Sequence, residues 1–243
     1  MSLEELWKAS CQTDWIKSLN RGVPLRDIIQ ATKIPEAVSV ENSMGCCDGR
    51  CPRYRVSIAG VGILIDEEVF EKFLQDTGVT KLISHENCGA VEKAYKGLSP
   101  EKQTIYGSAE AYAKSWTKKK AEEYGLEYRH IEASEFCEPV HHERGIIIDT
   151  TLEFYTSQFN GMPNMFVSNS SMFSSDKYIS NETAILTDIA FGDHGFGNFF
   201  TRQEPFYIII IARDSSEEQW LATLISSTIP LHDGRVVIKS YSS

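Results

Sequence analysis

The chain has 243 residues, of which 42% are hydrophobic and 24% are charged, a composition that excludes a disordered or collagen-like protein. Its 24 lysine and arginine residues against 34 aspartate and glutamate residues give a net charge of −10, so binding to nucleic acid is not expected. The longest unbroken apolar run, Phe206–Ala212, is too short to cross a bilayer, and the N-terminus has no apolar signal core. We therefore expect a cytoplasmic protein.

Residues 1–36 predict an N-terminal helical arm. Apolar side chains recur between Leu3 and Leu19 at steps of mostly three and four residues, which is the stripe of an amphipathic helix. The stripe contains two tryptophans, and it suits burial against the chain's own core as well as burial against a partner subunit. Pro24 and Pro35 punctuate the segment that follows.

Residues 37–150 alternate between short apolar strands and helices. This alternation predicts an α/β fold with a Rossmann-like, mainly parallel sheet flanked by helices. Strands are expected at Ala37–Val40, Arg55–Ala59, Val79–Ser84, Leu126–Ile131 and Gly145–Asp149, and helices at Glu67–Gln75, Gly89–Tyr95 and Ser108–Tyr124.

Residues 151–243 are predicted to form a C-terminal extension of the same domain. Asn160–Ser180 is rich in Asn, Ser and Met, which indicates a long loop or covering segment. A strand at Glu204–Ala212, a helix at Ser215–Ile225 and a strand at Arg235–Lys239 are expected to extend the same sheet.

Cysteines cluster at two places in the predicted α/β core. Cys46, Cys47 and Cys51 lie close together, and Cys88 follows His85 by three positions. A chain of this length does not need disulfides for stability, and thiolates beside a histidine are typical of a metal site. Cys46 and His85 fall just beyond predicted strand ends, where parallel α/β sheets place their ligands. The sequence therefore predicts a metal site at this edge of the sheet.

Two thiolates and an imidazole, from Cys46, His85 and Cys88, are a ligand set that suits zinc. Three protein ligands leave the fourth tetrahedral position to water, and zinc lowers the pKa of that water to about 7. Along an extended backbone Cys46, Asp48 and Arg50 share one side, with Cys47 and Cys51 on the other. Asp48 is then expected to accept a hydrogen bond from zinc-bound hydroxide, while the forked guanidinium of Arg50 holds its carboxylate.

These residues carry a resemblance to a known family. The pattern Cys46-x-Asp48-x-Arg50, followed by His85-x-x-Cys88-Gly89, resembles the paired motifs of the β-class carbonic anhydrases. The resemblance covers roughly residues 37–150, and the family's Arg-Asn-Ala-Gly-Asn segment appears here only as Ile58–Val61. It implies zinc held by Cys46, His85 and Cys88, with Asp48 and Arg50 as the catalytic dyad. It also implies a lyase that reversibly hydrates carbon dioxide to bicarbonate, and a homodimer or higher even oligomer.

Other interpretations of the same residues stay open. Cys47 and Cys51 could replace Cys46 in a four-ligand structural zinc site with His85 and Cys88, or they could form a redox pair. The first alternative describes a non-catalytic, zinc-stabilised α/β protein that binds a partner through its long tail. Within the family resemblance, turnover of carbon disulfide or carbonyl sulfide is a further alternative.

The histidines outside the motifs give a weaker signal. His141 and His142 precede Glu143, with His130 upstream, and such a group is compatible with a second metal or a proton shuttle. Adjacent residues on a strand point to opposite faces, however, which makes His141 and His142 poor joint ligands. A surface or supporting role is the favoured interpretation.

Overall fold

The computed structural model describes residues 1–34, 41–51, 54–136, 141–152, 154, 159–172, 175–192, 195–230 and 234–242. The chain divides into two compact units. The central unit comprises Val40–Pro139 and Ser168–Ser174, and the terminal unit comprises Met1–Ser39, Val140–Val167 and Ser175–Ser243. Within the described ranges, every helix is too short or too polar to cross a membrane.

Helices and strands alternate along most of the chain. In chain order they are α1 (Leu3–Cys11), α2 (Asp14–Asn20), α3 (Leu25–Thr32), β1 (Glu41–Gly45), β2 (Tyr54–Ser57), α4 (Glu67–Thr77), β3 (Lys81–His85), α5 (Gly89–Lys96), α6 (Pro100–Tyr106), α7 (Ala109–Tyr124), β4 (Glu127–Ile131), β5 (Gly145–Asp149), β6 (Phe166–Ser168), α8 (Asp176–Phe191), β7 (Phe206–Ala212), α9 (Ser215–Thr228) and β8 (Val236–Ser242). This order confirms the predicted α/β class.

The central unit is built on a four-stranded sheet with the order β2-β1-β3-β4. All three strand pairs are parallel, as predicted. Gly45 at the end of β1 lies opposite Ile83 of β3, so the two strands end at the same edge of the sheet. The strand expected at Ala37–Val40 lies outside the described residues, and β1 is described from Glu41.

Helix α7 precedes β4, the edge strand of this sheet, and has clear sequence signals at both ends. The Ser108 hydroxyl accepts a hydrogen bond from the backbone N–H of Ala111, which satisfies one of the unpaired donors of the first turn. The helix ends at Gly125, whose φ of 66° is left-handed and costs a glycine little. The chain then enters β4, which pairs with β3 from Lys81 opposite Glu127 to His85 opposite Ile131.

The terminal unit has its own four-stranded sheet, with the order β6-β5-β7-β8. Strand β5 pairs in parallel with β7, and β7 pairs in parallel with β8. The prediction that Gly145–Asp149 and residues 151–243 belong to the first sheet is therefore wrong. Every residue of β5 and β7 is buried, and such continuous apolar strands are covered on both faces, as in the interior of a parallel sheet.

Helices α1 to α3 belong to the terminal unit rather than to a separate arm. Trp15 and Ile16 are fully buried and share a core with Ile147 and Ile209. The sequence left open whether the N-terminal apolar stripe packs on the chain's own core or on a partner subunit. In the structure these side chains pack on the chain's own core.

The expectation of a long loop over Asn160–Ser180 is wrong, because β6 and the start of α8 lie within it. Helix α8 continues to Phe191, and polar residues along it hide its helical hydrophobic periodicity. Thr183 and Thr187 are buried in α8, and each hydroxyl donates to the carbonyl oxygen four residues earlier, at 2.8 Å in both cases. Such bonds let a polar residue lie on the buried face of a helix.

Replacement of Gly45 by alanine is expected to destabilise the central unit. A Cβ at this position would lie 2.2 Å from the Tyr54 ring, and overpacking of this kind costs about 1–3 kcal/mol. Urea denaturation measures the change in the free energy of unfolding. The control is Gly97→Ala, where the nearest atom lies at 3.4 Å and the backbone φ is −80°. Equal stability of the two variants would contradict the prediction.

Candidate metal centre

The three predicted ligands meet at the edge of the central sheet. Cys46 directly follows β1, His85 is the last residue of β3, and Cys88 is the N-cap of α5. All three side chains are buried. Their ligand atoms lie within 4.8 Å of one another, so the structure brings together residues 42 positions apart in the sequence.

The geometry of this cluster fits zinc. The sulfurs of Cys46 and Cys88 lie 3.8 Å apart, and two sulfurs bound tetrahedrally at about 2.3 Å from one zinc ion are also about 3.8 Å apart. His85 Nδ1 lies 2.8 Å from the carbonyl oxygen of Glu86, while its buried Nε2 has no hydrogen-bond partner among the described residues. A metal-binding histidine typically donates one ring N–H to a carbonyl and keeps the other nitrogen for the metal.

The groups around Cys46 favour its thiolate form. Hydrogen bonds from Cys47 and Cys88 hold the pKa of Cys46 well below its usual value, against the opposing effect of burial. The backbone N–H of Gly60 also points at this sulfur, at 3.4 Å. Gly60 lies in the Ile58–Val61 segment, and both Gly60 and Val61 have left-handed φ values near 60°. This turn therefore places a backbone donor of the Ile58–Val61 segment beside a candidate ligand.

The other two ligands hold protons that a metal would replace. The hydrogen bond to Cys46, together with burial, raises the pKa of the Cys88 thiol well above its usual value. Burial lowers the pKa of His85, but the Cys46 thiolate and Asp48 outweigh this and raise it to about 9. Because a metal binds the deprotonated ligands, protons and metal compete for this cluster.

Asp48 and Arg50 form a buried ion pair beside the cluster. Asp48 Oδ1 accepts the backbone N–H and the Nε–H of Arg50 at 2.9 and 3.0 Å, and Oδ2 accepts Nη2–H at 2.7 Å. The Arg50 guanidinium also lies 4.8 Å above the ring centre of Phe136. Asp48 Oδ2 is 3.9 Å from His85 Nε2, so the carboxylate stands next to a candidate ligand while Arg50 holds it.

The predicted position of Cys51, on the opposite side from Asp48, is wrong. The segment does not stay extended after Cys46, because the N–H of Cys51 bonds to the carbonyl oxygen of Asp48 at 3.0 Å and closes a turn. The turn brings Cys51 into a second group with Asp48 and His85, whose ligand atoms lie within 4.8 Å of one another. Cys47 belongs to no such group in the described part of the chain.

Two features of the site have no sequence signal. The Phe136 ring lies 5.7 Å from the His85 ring as well as over Arg50, yet Phe136 belongs to no motif. A cavity of about 210 Å³ also touches His85 and Cys88, and its walls include Val91, Ala113 and Glu110. Only the packing of α5 and α7 against the sheet creates this space.

No family model, curated protein or solved structure matches this chain. The functional interpretation therefore rests on the geometry of the central unit.

The affinity for zinc is expected to rise with pH through pH 9 and beyond, because the pKa of His85 is about 9 and that of the Cys88 thiol is raised well above its usual value. Below its pKa of about 9 the His85 ring is protonated, so zinc must displace a proton, and each displaced proton changes the affinity by up to about tenfold per pH unit. Competition with a chromophoric chelator at several pH values measures this dependence. Cys88→Ser should abolish tight binding, whereas the control Cys11→Ser, outside the cluster, should not. An affinity independent of pH, or unchanged in Cys88→Ser, would refute this assignment of ligands.

Proposed function

We propose that the protein is a zinc-dependent carbonic anhydrase of the β-class type, which reversibly hydrates carbon dioxide to bicarbonate. The observation that carries the proposal is the cluster of Cys46, His85 and Cys88 beside a buried, two-pronged Asp48–Arg50 ion pair. Cys46, His85 and Cys88 would hold a zinc ion, which would supply hydroxide near neutral pH because coordination lowers the pKa of water to about 7. The homodimer that the family resemblance implies is part of the same proposal.

Asp48 orients the nucleophile in this proposal. An ionised carboxylate only accepts hydrogen bonds, so Asp48 would accept a hydrogen bond from the nucleophile that a bound zinc ion would supply and would thereby orient it. The Arg50 guanidinium donates a hydrogen bond to each oxygen of Asp48, and such bonds favour the charged form of a buried carboxylate. Because Asp48 is fixed before the substrate arrives, little reorganisation is needed during the reaction.

The cavity beside His85 and Cys88 supports a small, uncharged substrate. Its volume of about 210 Å³ is several times the roughly 30 Å³ that one water molecule occupies in the liquid. Val91 and Ala113 give its walls an apolar part, while Glu92 and Glu110 supply carboxylates. We propose that carbon dioxide enters through this space.

Asp48→Asn is expected to lower kcat/KM for carbon dioxide hydration by about 10²- to 10³-fold, because the amide can donate where the carboxylate only accepts. Stopped-flow measurement on zinc-loaded protein tests this. The matched control is Glu127→Gln, which removes an exposed carboxylate outside the cavity and the ligand cluster, and it should keep nearly full activity. A fully zinc-loaded protein that hydrates carbon dioxide no faster than buffer would refute the proposal.

A structural zinc site is the second candidate, and the position of Cys51 favours it. If Cys51 completed the coordination sphere as a fourth ligand, no position would remain for water and the site would be closed. The protein would then be a zinc-stabilised α/β protein without hydratase activity.

Cys51→Ser separates these two candidates. In the proposed enzyme this variant keeps both its zinc affinity and its hydratase activity, since Cys51 is not a ligand. In the structural alternative it loses zinc affinity by at least about tenfold, and the parent protein is inactive. Assays with carbonyl sulfide and carbon disulfide on the same zinc-loaded samples show whether either sulfur compound is the better substrate.

A further inference from the structure

A second group of metal-ligating side chains lies on the edge strand of the central sheet. Glu110 stands in the first turn of α7, His130 lies on β4, and Glu132 follows β4 directly. One ligand atom from each of the three residues lies within 4.8 Å of the other two. Helix α7 packs against β4, and this contact creates the group.

His130 provides the observation that points to a ligand. Its side chain is only 8% exposed, and its Nδ1 lies 2.8 Å from the Ser84 hydroxyl. The buried Nε2 has no hydrogen-bond partner within the described ranges. Its distance of 4.0 Å from Glu110 Oε1 is too long for a hydrogen bond. Burial also lowers the pKa of His130, which favours a neutral ring, and the Ser84 contact can direct its free lone pair to Nε2.

The two carboxylates already converge on a cation, the ammonium group of Lys114. Lys114 Nζ lies 2.6 Å from Glu110 Oε1 and 3.2 Å from Glu132 Oε1. The ammonium group therefore satisfies both carboxylates but leaves His130 Nε2 unpaired. Because the Lys114 side chain is 37% exposed, it can move into solvent with little loss of packing.

We propose that Glu110, His130 and Glu132 form a second metal site, which binds a divalent first-row transition-metal cation such as zinc. Imidazole nitrogen combined with carboxylate oxygen suits these cations, and one such ion would satisfy all three side chains in place of Lys114. The site is partly exposed and has no thiolate, so it binds zinc more weakly than the cluster at Cys46. Its existence does not depend on the proposed catalytic function.

Calorimetric titration of the metal-free 243-residue protein with zinc chloride tests this inference. The expected result is a tight binding event followed by a weaker one. His130→Gln should eliminate the weaker event, and Glu132→Gln should weaken it by at least about tenfold. Lys114→Gln should strengthen it several-fold, because a competing positive charge is removed. The control Glu127→Gln removes an exposed carboxylate from the same strand, outside the group, and should change neither event.

The outcomes separate this site from the one at Cys46. Cys88→Ser should eliminate the tight event and keep the weaker one, so failure of the first site does not hide the second. Glu132 is exposed, and its substitution therefore tests the site without disturbing the core. The proposal would be overturned if the parent protein lacked the weaker event, or if that event were unchanged in both His130→Gln and Glu132→Gln. The group would then be only an ion cluster around Lys114.

Discussion

The shared edge of strands β1 and β3 is the constraint on which the candidate site depends. The parallel pairing of Gly45 with Ile83 places the chain that leaves β1 beside the end of β3. Cys46 therefore meets His85, and the start of α5 brings Cys88 to 3.8 Å from the Cys46 sulfur. A shift of this register by one residue would move one ligand to the other face of the sheet, so the metal geometry is a direct consequence of strand pairing.

The buried ion pair of Asp48 and Arg50 is better explained by function than by stability. A buried ion pair is often no more stabilising than apolar residues of the same volume, whereas loss of one partner costs about 3–5 kcal/mol. Here the pair is nearly solvent-free, and its carboxylate lies 3.9 Å from a candidate ligand nitrogen. The pair therefore fixes an acceptor at the site, at an energetic cost that the rest of the central unit must offset.

His85 and His130 illustrate how neighbouring strands can prepare two different sites. Ser84 pairs with His130 in the sheet, and in each histidine Nδ1 has a polar oxygen partner while the buried Nε2 has none among the residues that the structure describes. The surrounding ligands differ, since His85 meets two sulfurs and His130 meets two carboxylates. The expected difference in zinc affinity follows from the softer and more basic thiolates.

The sequence by itself determined the α/β class, most of the helices and strands, and the grouping of Cys46, His85 and Cys88, because each depends on periodicity or spacing within short stretches of chain. Only the tertiary structure decided that β5 pairs with β7 in a separate sheet, that a turn brings Cys51 towards Asp48, and that Phe136 covers Arg50. These outcomes depend on contacts between residues far apart in the chain, where burial and the pairing of strands outweigh local preference. For the same reason, no local pattern could reveal that His130 Nε2 is buried near Glu110.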